Sequence, residues 1–488
     1  MSHSHPADLT RRLLARDASL WPGDTAGGWL GWLEAPVQAR ALLAEVPRAD
    51  GPVVLLGMGG SSLAPYVFAG ALGLGSLVVV DSTDPDAVRA MPTRGSSFVV
   101  SSKSGSTVEP NCLLDYALGA IGGDTSRVSA ITDPGSSLER RAAAEGFAHI
   151  YAGRPDVGGR YSALSAFGVV PAAMCGAPME AVLDEAIAYL DAGLPGAGEL
   201  GLTLGEHALA GRDKLTVVAS PGLERMGLWL EQLVAESTGK AGTGILPVAG
   251  ERLAPPERYG NDRVFLHVRG DGTHDAALAA LAAAGHPVLD VPCEGPTHVG
   301  REMLRYEAAT AIAGHVLGID PFDQPNVQEA KDATVALLAA FEESGALPDV
   351  EFDDLSGAFA RVEAGRSYVC LQAFLEPTEA AEAALASAQA DIRDALGCAV
   401  TAGFGPRYLH STGQYHKGGP PHGVFVQVVS EPDDLPIPGR AWGFRTLRDA
   451  QAAGDAQALR GRGMPVARIH LDELPGAARA AGARRSAG

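Results

Sequence analysis

Arg160 is the only charge in the run Gly158-Gly159-Arg160-Tyr161-Ser162 and in the apolar stretch that follows it. A guanidinium set between a glycine turn and two hydroxyls suits an anion, either a bound group or a charge that develops during a reaction. It could equally tie two loops together. Glu236 is a second candidate. It closes a stretch whose apolar positions (Leu223, Met226, Leu230, Leu233, Val234) follow helical spacing, and it precedes Ser237-Thr238-Gly239-Lys240. A carboxylate there sits at the negative end of a helix dipole, a setting that suits a general base. A solvated glutamate at a helix end would show the same letters. A third candidate is Ser102-Lys103-Ser104-Gly105-Ser106-Thr107, which follows the apolar Phe98-Val99-Val100 and opens a helix. Hydroxyls and a lysine at a helix N-terminus offer many donors to a phosphate monoester, although the P-loop order is absent. A capped, solvated loop is the plainer reading. Gly57-Met58-Gly59-Gly60-Ser61-Ser62 also lets backbone approach a ligand. As a dinucleotide fingerprint it is incomplete, because Ser62 stands where a third glycine belongs, although Asp81 lies near the place of a ribose-binding acid. Finally, His410-Ser411-Thr412-Gly413-Gln414-Tyr415-His416-Lys417-Gly418-Gly419 packs two histidines and a lysine into one glycine-rich loop.

Residues so far apart in sequence need a frame that gathers them. Apolar, β-branched runs at 53–56, 77–80, 98–100, 128–131 and 147–150 lack polar alternation. They read as buried strands of a parallel sheet, with room for a crossover helix between each pair. Such a doubly wound α/β unit holds ligands at the carboxyl ends of its strands. After a glycine- and proline-rich break at 193–198 come strands at 215–219, 264–268 and 287–291. Helices are expected near 221–236, 275–284, 299–317 and 327–343. The acidic stretch 349–354 reads as a linker. Beyond it, strands at 368–372, 398–401, 424–429 and 466–471 alternate with helices near 378–396 and 446–459. The expected organisation is a helical segment over 1–49, α/β units over 50–195 and 205–345, and a smaller C-terminal α/β unit over 355–488.

Composition narrows the function. A net charge of −20 argues against a nucleic-acid partner, which needs a basic face, but not against a small phosphorylated molecule. The five scattered cysteines show no metal spacing and read as free thiols of a reducing cytoplasm. His3 and His5 read as part of a loose terminus rather than as a metal site. The N-terminal letters lack the apolar core of a signal peptide, and no apolar run reaches membrane-spanning length.

Taken together, the glycine turn and the serine-rich turn at neighbouring strand ends resemble the sugar-isomerase (SIS) domain. The segments around Arg160 and Glu236 resemble those of the glucose-6-phosphate isomerase family, whose forms are Val-Gly-Gly-Arg-Tyr-Ser and Glu-Ser-Asn-Gly-Lys. Pro321-Phe322-Asp323-Gln324-Pro325-Asn326-Val327-Gln328-Glu329-Ala330-Lys331 is similar to a third family signature, with Asn326 and Gln328 departing from it. The resemblance spans about 50 to 335. It implies two SIS-type domains and reversible interconversion of glucose 6-phosphate and fructose 6-phosphate through a cis-enediolate. Gly60, Ser61, Ser102, Lys103, Ser104, Thr107 and Gln324 fall on phosphate-binding positions, and Gln232 and Glu109 on other substrate-site positions. Glu236 becomes the proton shuttle, Arg160 the enediolate stabiliser and Lys331 an aid to ring opening. No metal or redox cofactor is implied. A cytoplasmic homodimer is. The family's ring-opening histidine is missing from its usual place between the base and the Phe-Asp-Gln motif. The C-terminal loop is expected to supply it instead, from His416 first and His410 second. The segment beyond about 350 resembles the tail of isomerase modules fused to transaldolase. A related phosphosugar isomerase, for example with mannose 6-phosphate activity, and a non-catalytic sugar-phosphate sensor are the alternatives.

Overall fold

The computed structural model describes residues 5–23, 25–326 and 328–485; His3 and Val327 lie outside them. The first sheet comprises β1 (Val53–Gly57), β2 (Leu77–Val80), β3 (Ser97–Ser101), β4 (Val128–Thr132) and β5 (His149–Ala152), all parallel, in the order β2-β1-β3-β4-β5. Every residue of β1 and β4 is buried, as continuous apolar runs require when helices cover both faces. The order reverses between β1 and β3. Their carboxyl ends therefore open a crevice there, flanked by the loops 58–62 and 102–107.

The second sheet comprises β6 (Lys214–Ala219), β7 (Leu246–Val248), β8 (Arg263–Arg269) and β9 (Val288–Pro292), in the order β7-β6-β8-β9. Strand β7 is absent from the expectations above. It is three residues long and contains Pro247, so it carries no periodic signal. The third sheet comprises β10 (Tyr368–Phe374), β11 (Ala399–Phe404), β12 (Gly423–Val429) and β13 (Val466–His470), in the order β11-β10-β12-β13. The chain is thus an α/β protein with two doubly wound SIS-type sheets and a further C-terminal α/β sheet. The expected break at 193–198 is shorter than read. The Met179–Asp191 helix ends just before it, Gly196 turns the chain at φ 79°, and the Ala197–Leu209 helix follows. The short Leu355–Ala360 and Gly413–Gly418 helices and the terminal Leu474–Arg485 helix were also not expected.

The Val299–Leu317 helix runs through the largest core and packs on the Ala197–Leu209, Met179–Asp191 and Arg225–Thr238 helices. A second core joins the first sheet to the C-terminal unit. Phe444 and Leu447 of the Phe444–Gly461 helix share it with Val54, Phe98 and Leu113, and Tyr116 meets Phe444 edge-on at 5.8 Å. Two ion pairs reinforce this junction: Arg407 grips Asp81 with bonds of 2.7 and 2.8 Å, and Arg448 meets Asp84 at 2.7 Å. No helix among the described residues is long and apolar enough to cross a membrane.

Candidate active site

Three loops and one helix end meet above the β1–β3 crevice, and glycine makes their approach possible. A Cβ on Gly60 would lie 2.0 Å from the Gly159 carbonyl oxygen. One on Gly59, which has φ 55°, would lie 2.8 Å from the His410 carbonyl and 2.9 Å from Gln232 Nε2. The turn after β1 is thereby pressed against the arginine turn, the histidine loop and the Arg225–Thr238 helix.

Arg160 and Glu236 meet in the interior. Arg160 Nη1 lies 3.2 Å from Glu236 Oε1, and the two residues are 3% and 7% exposed. The rest of the guanidinium is used to hold loops. Nε donates to Ser237 Oγ at 2.8 Å, Nη2 to the carbonyls of Pro321 and Asp323 at 2.6 and 2.8 Å, and Nη1 to Gln324 Oε1 at 3.3 Å. Lys240 clamps the same turn, donating to the Asp320 and Asp323 carbonyls at 2.7 and 2.6 Å and pairing with the Asp323 carboxylate. Burial, with the neighbouring Arg160 charge, pushes the Lys240 ammonium down to about 8. Gln232 Nε2 donates to Glu236 Oε2 at 3.0 Å and to the His410 carbonyl at 2.9 Å. One amide therefore ties the base candidate to the histidine loop.

A cleft of about 280 Å³ opens at the histidine loop, and neither Arg160 nor Glu236 is among its lining residues. Ser104, Ser106, Thr107, Glu109, Lys331 and His410 are among its lining residues, together with Lys417 and Gln451. Its hydroxyls lead into the Val108–Ala120 helix, whose first-turn N–H groups have no intrahelical acceptor. His410 Nε2 lies 2.9 Å from Glu109 Oε1. Burial alone would raise the Glu109 pKa, but the His410 charge and hydrogen bond, helped by Lys331, outweigh it and hold the carboxyl below its ordinary value. A carboxylate on Nε2 puts the proton there and leaves Nδ1 as an acceptor in the neutral ring.

The structure places the two histidines differently. His416 is 2% exposed and turned into the C-terminal unit. Its Nδ1 lies 2.9 Å from Tyr368 Oη and its Nε2 3.5 Å from Cys370 Sγ, with Phe425 packed against the ring at 5.1 Å. Burial and the Lys417 charge hold its pKa well below the histidine range, so it stays neutral, and it is not among the residues that line the cleft. The reason is local. The Gly413–Gly418 helix points His416 toward the sheet, whereas His410 ends the preceding turn at the cleft. Lys103 also stands apart from the cleft. Its ammonium pairs with Asp133 and donates to the Arg154 carbonyl at 2.9 Å, away from the cleft lining. Ser61 and Ser102 are likewise not among the lining residues, although Ser102 Oγ donates to Thr107 Oγ1 at 3.3 Å. Gln324 and Gln232 touch the buried pair rather than the cleft.

Three residues of this region went unremarked in the sequence: Gln451, Thr83 and Asp455. The signal lay in the C-terminal helix, where Arg448, Gln451 and Asp455 recur at helical spacing among alanines. All three are buried.

No protein-family model matches the chain. A glucose-6-phosphate isomerase from Symbiobacterium thermophilum is 29% identical, over 68% of this chain and 93% of the relative. A protein named "probable glucose-6-phosphate isomerase" from Natronomonas pharaonis is 31% identical, over 61% of this chain and 82% of the relative. Among solved structures, a hypothetical protein from Thermus thermophilus superposes with a TM-score of 0.59 at 25% identity, covering 68% of this chain and 94% of that one.

Proposed function

The chain belongs to the glucose-6-phosphate isomerase family, and on that premise we propose how its own residues interconvert glucose 6-phosphate and fructose 6-phosphate. The phosphate is held by Ser104, Ser106 and Thr107 at the start of the Val108–Ala120 helix. The closed sugar reaches His410, whose Nε2–H is held by Glu109; its Nδ1 takes the proton of the anomeric hydroxyl and, aided by Lys331, passes it to the ring oxygen as the bond between that oxygen and the anomeric carbon breaks. In the open chain Glu236 removes the proton from C2 of the aldose or C1 of the ketose. It returns the proton to the other carbon, while a hydroxyl proton passes between O2 and O1. The negative charge that leaves Glu236 appears on the enediolate. Arg160 is already beside the carboxylate, so it meets that charge without reorganising.

The observation that carries this reading is the junction at Gln232, which joins the Arg160–Glu236 pair to the Glu109–His410 pair through bonds of 3.0 and 2.9 Å. All of these residues come from one chain. The homodimer implied by the resemblance adds none that the scheme needs. The cytoplasm is the proposed compartment, supported by five cysteines that remain free thiols.

The test is a coupled assay that supplies fructose 6-phosphate and detects glucose 6-phosphate. Wild type turns over, and Glu236→Gln loses about 10³-fold, within the range of general-base catalysis. His410→Ala loses activity on fructose 6-phosphate but keeps it on the 5-deoxy analogue, which lacks the hydroxyl that closes the ring. Deuterium uptake from solvent, read by NMR, follows that reaction. Phosphosugar binding without turnover in wild type would overturn the enzyme reading in favour of a sensor.

A further inference from the structure

Gln451 is 4% exposed and stands on the Phe444–Gly461 helix of the C-terminal unit. Its Nε2 donates to Glu109 Oε1 at 2.7 Å, and its Oε1 accepts the Thr83 hydroxyl at 2.8 Å. The amide has one sensible orientation. Reversed, its carbonyl would face a carboxylate, two acceptors with no proton between them. Glu109 Oε1 is also the oxygen that His410 Nε2 approaches at 2.9 Å. A buried chain therefore runs Thr83–Gln451–Glu109–His410, from the end of the first sheet through the C-terminal helix to the cleft.

We propose that Gln451 is a positioning residue for ring opening: it pins the Glu109 carboxylate so that Oε1 stays aimed at His410. The proposal rests on the reading that His410 opens the ring. Its physical basis is the geometry of a carboxylate at the root of a helix. Glu109 is in the first turn of the Val108–Ala120 helix, and its side chain has several torsions to fix. His410 alone cannot fix them, because it must remain free to trade a proton with substrate. Gln451 trades nothing, and Thr83 holds it from behind. The ionisable groups near Glu109 include His410, Lys331 and Cys112, and Asp332 and Lys417 line the same cleft. His410 donates to the same oxygen but shifts with its own proton transfers, so the Gln451 amide is the donor there that does not titrate.

The experiment compares Gln451→Leu with Thr83→Val, a near-isosteric change that leaves Gln451 in place but frees its amide to turn. Gln451→Leu lowers kcat/KM for fructose 6-phosphate about 10-fold, the scale of one hydrogen bond to a charged group, mainly through kcat. Losing that donor disfavours the charged carboxylate. The acid limb of the kcat/KM profile therefore moves up by about one pH unit. Thr83→Val moves both readouts in the same direction by less. Activity on the 5-deoxy analogue is retained, and Gln451→Leu costs nothing further once His410 is alanine. Equal losses on both substrates with an unmoved pH profile would mean a merely structural role and overturn the proposal. If His410→Ala itself turns over fructose 6-phosphate normally, the ring-opening reading falls first. If His410→Ala behaves as expected and Gln451→Leu acts as wild type, only the present proposal falls.

Discussion

Glu236 and Arg160 are opposite charges in contact, and both are almost wholly buried. A carboxylate at a helix end would be a poor place for a negative charge without that guanidinium. Glu231, earlier on the same Arg225–Thr238 helix, lies on another face and is held in no ion pair among the described residues. It accepts the Ala249 N–H at 3.3 Å, and burial outweighs that bond and the Arg407 charge to push its pKa from 4.5 up to about 8. The folded chain therefore keeps a proton that the unfolded chain releases above 4.5. Unfolding becomes easier as pH rises from there toward about 8, by at most about 1.4 kcal/mol per pH unit. Glu231→Gln keeps the shape and the acceptor but cannot ionise. Thermal melts should show the variant more stable than wild type at the alkaline end of this window and closely matched below it. Parallel curves at all pH values would show that the buried acid does not titrate in this way.

At the scale of elements, the site depends on backbone contact. The Gly59–Ser61 turn after β1 touches the Gly159–Tyr161 turn where Gly60 faces the Gly159 carbonyl. A methyl group there has nowhere to go, because the obstacle is backbone rather than a flexible side chain. Gly60→Ala should separate the two turns, shift Arg160 relative to Glu236 and cost about 1–3 kcal/mol, the usual scale of overpacking. Denaturant titration would read the stability, and kcat would fall with it, because small displacements of a preorganised charge are costly. An active variant of unchanged stability would show that the turns can part without moving the arginine. The Phe444–Gly461 helix likewise acts through the neighbours it reaches. Its inward stripe of Arg448, Gln451 and Asp455 serves three different ones: Asp84, Glu109 and the Lys417–Tyr408 pair.

Across the whole molecule, the C-terminal unit is fastened to the first sheet by charge as well as by a shared core. Arg448 and Asp84 are each 1% exposed, so neither has water to fall back on. Arg448→Met leaves Asp84 charged and buried, and should cost about 3–5 kcal/mol. Asp84→Asn added to the same chain removes that charge while keeping an oxygen for the Asp86 N–H, which Asp84 Oδ1 now accepts at 3.0 Å. Much of the loss should return in the double variant. Urea titration of the single and double variants checks this, and an undiminished loss in the double variant would place the cost in packing rather than charge. The fastening matters for chemistry, since His410 and Gln451 reach Glu109 only while the unit is docked.

The letters alone located the strands of the three parallel sheets apart from the short β7, because unbroken β-branched runs have one stable environment, a sheet covered on both faces. They also singled out Arg160, Glu236 and the hydroxyl turn, because glycine turns and helix ends leave marks in a sequence, whereas Glu109 came only through the family resemblance. Short-range letters could not separate His410 from His416. Both sit in the same loop, and which one faces the cleft depends on how a short helix packs on a sheet formed from distant strands. They could not show that Lys103 is held by Asp133, since that carboxylate arrives from the end of the next strand. Nor could they join Gln451 to Glu109 across 342 positions. Hydrogen bonds between separate units have no periodicity to read, and only tertiary packing brought those partners together.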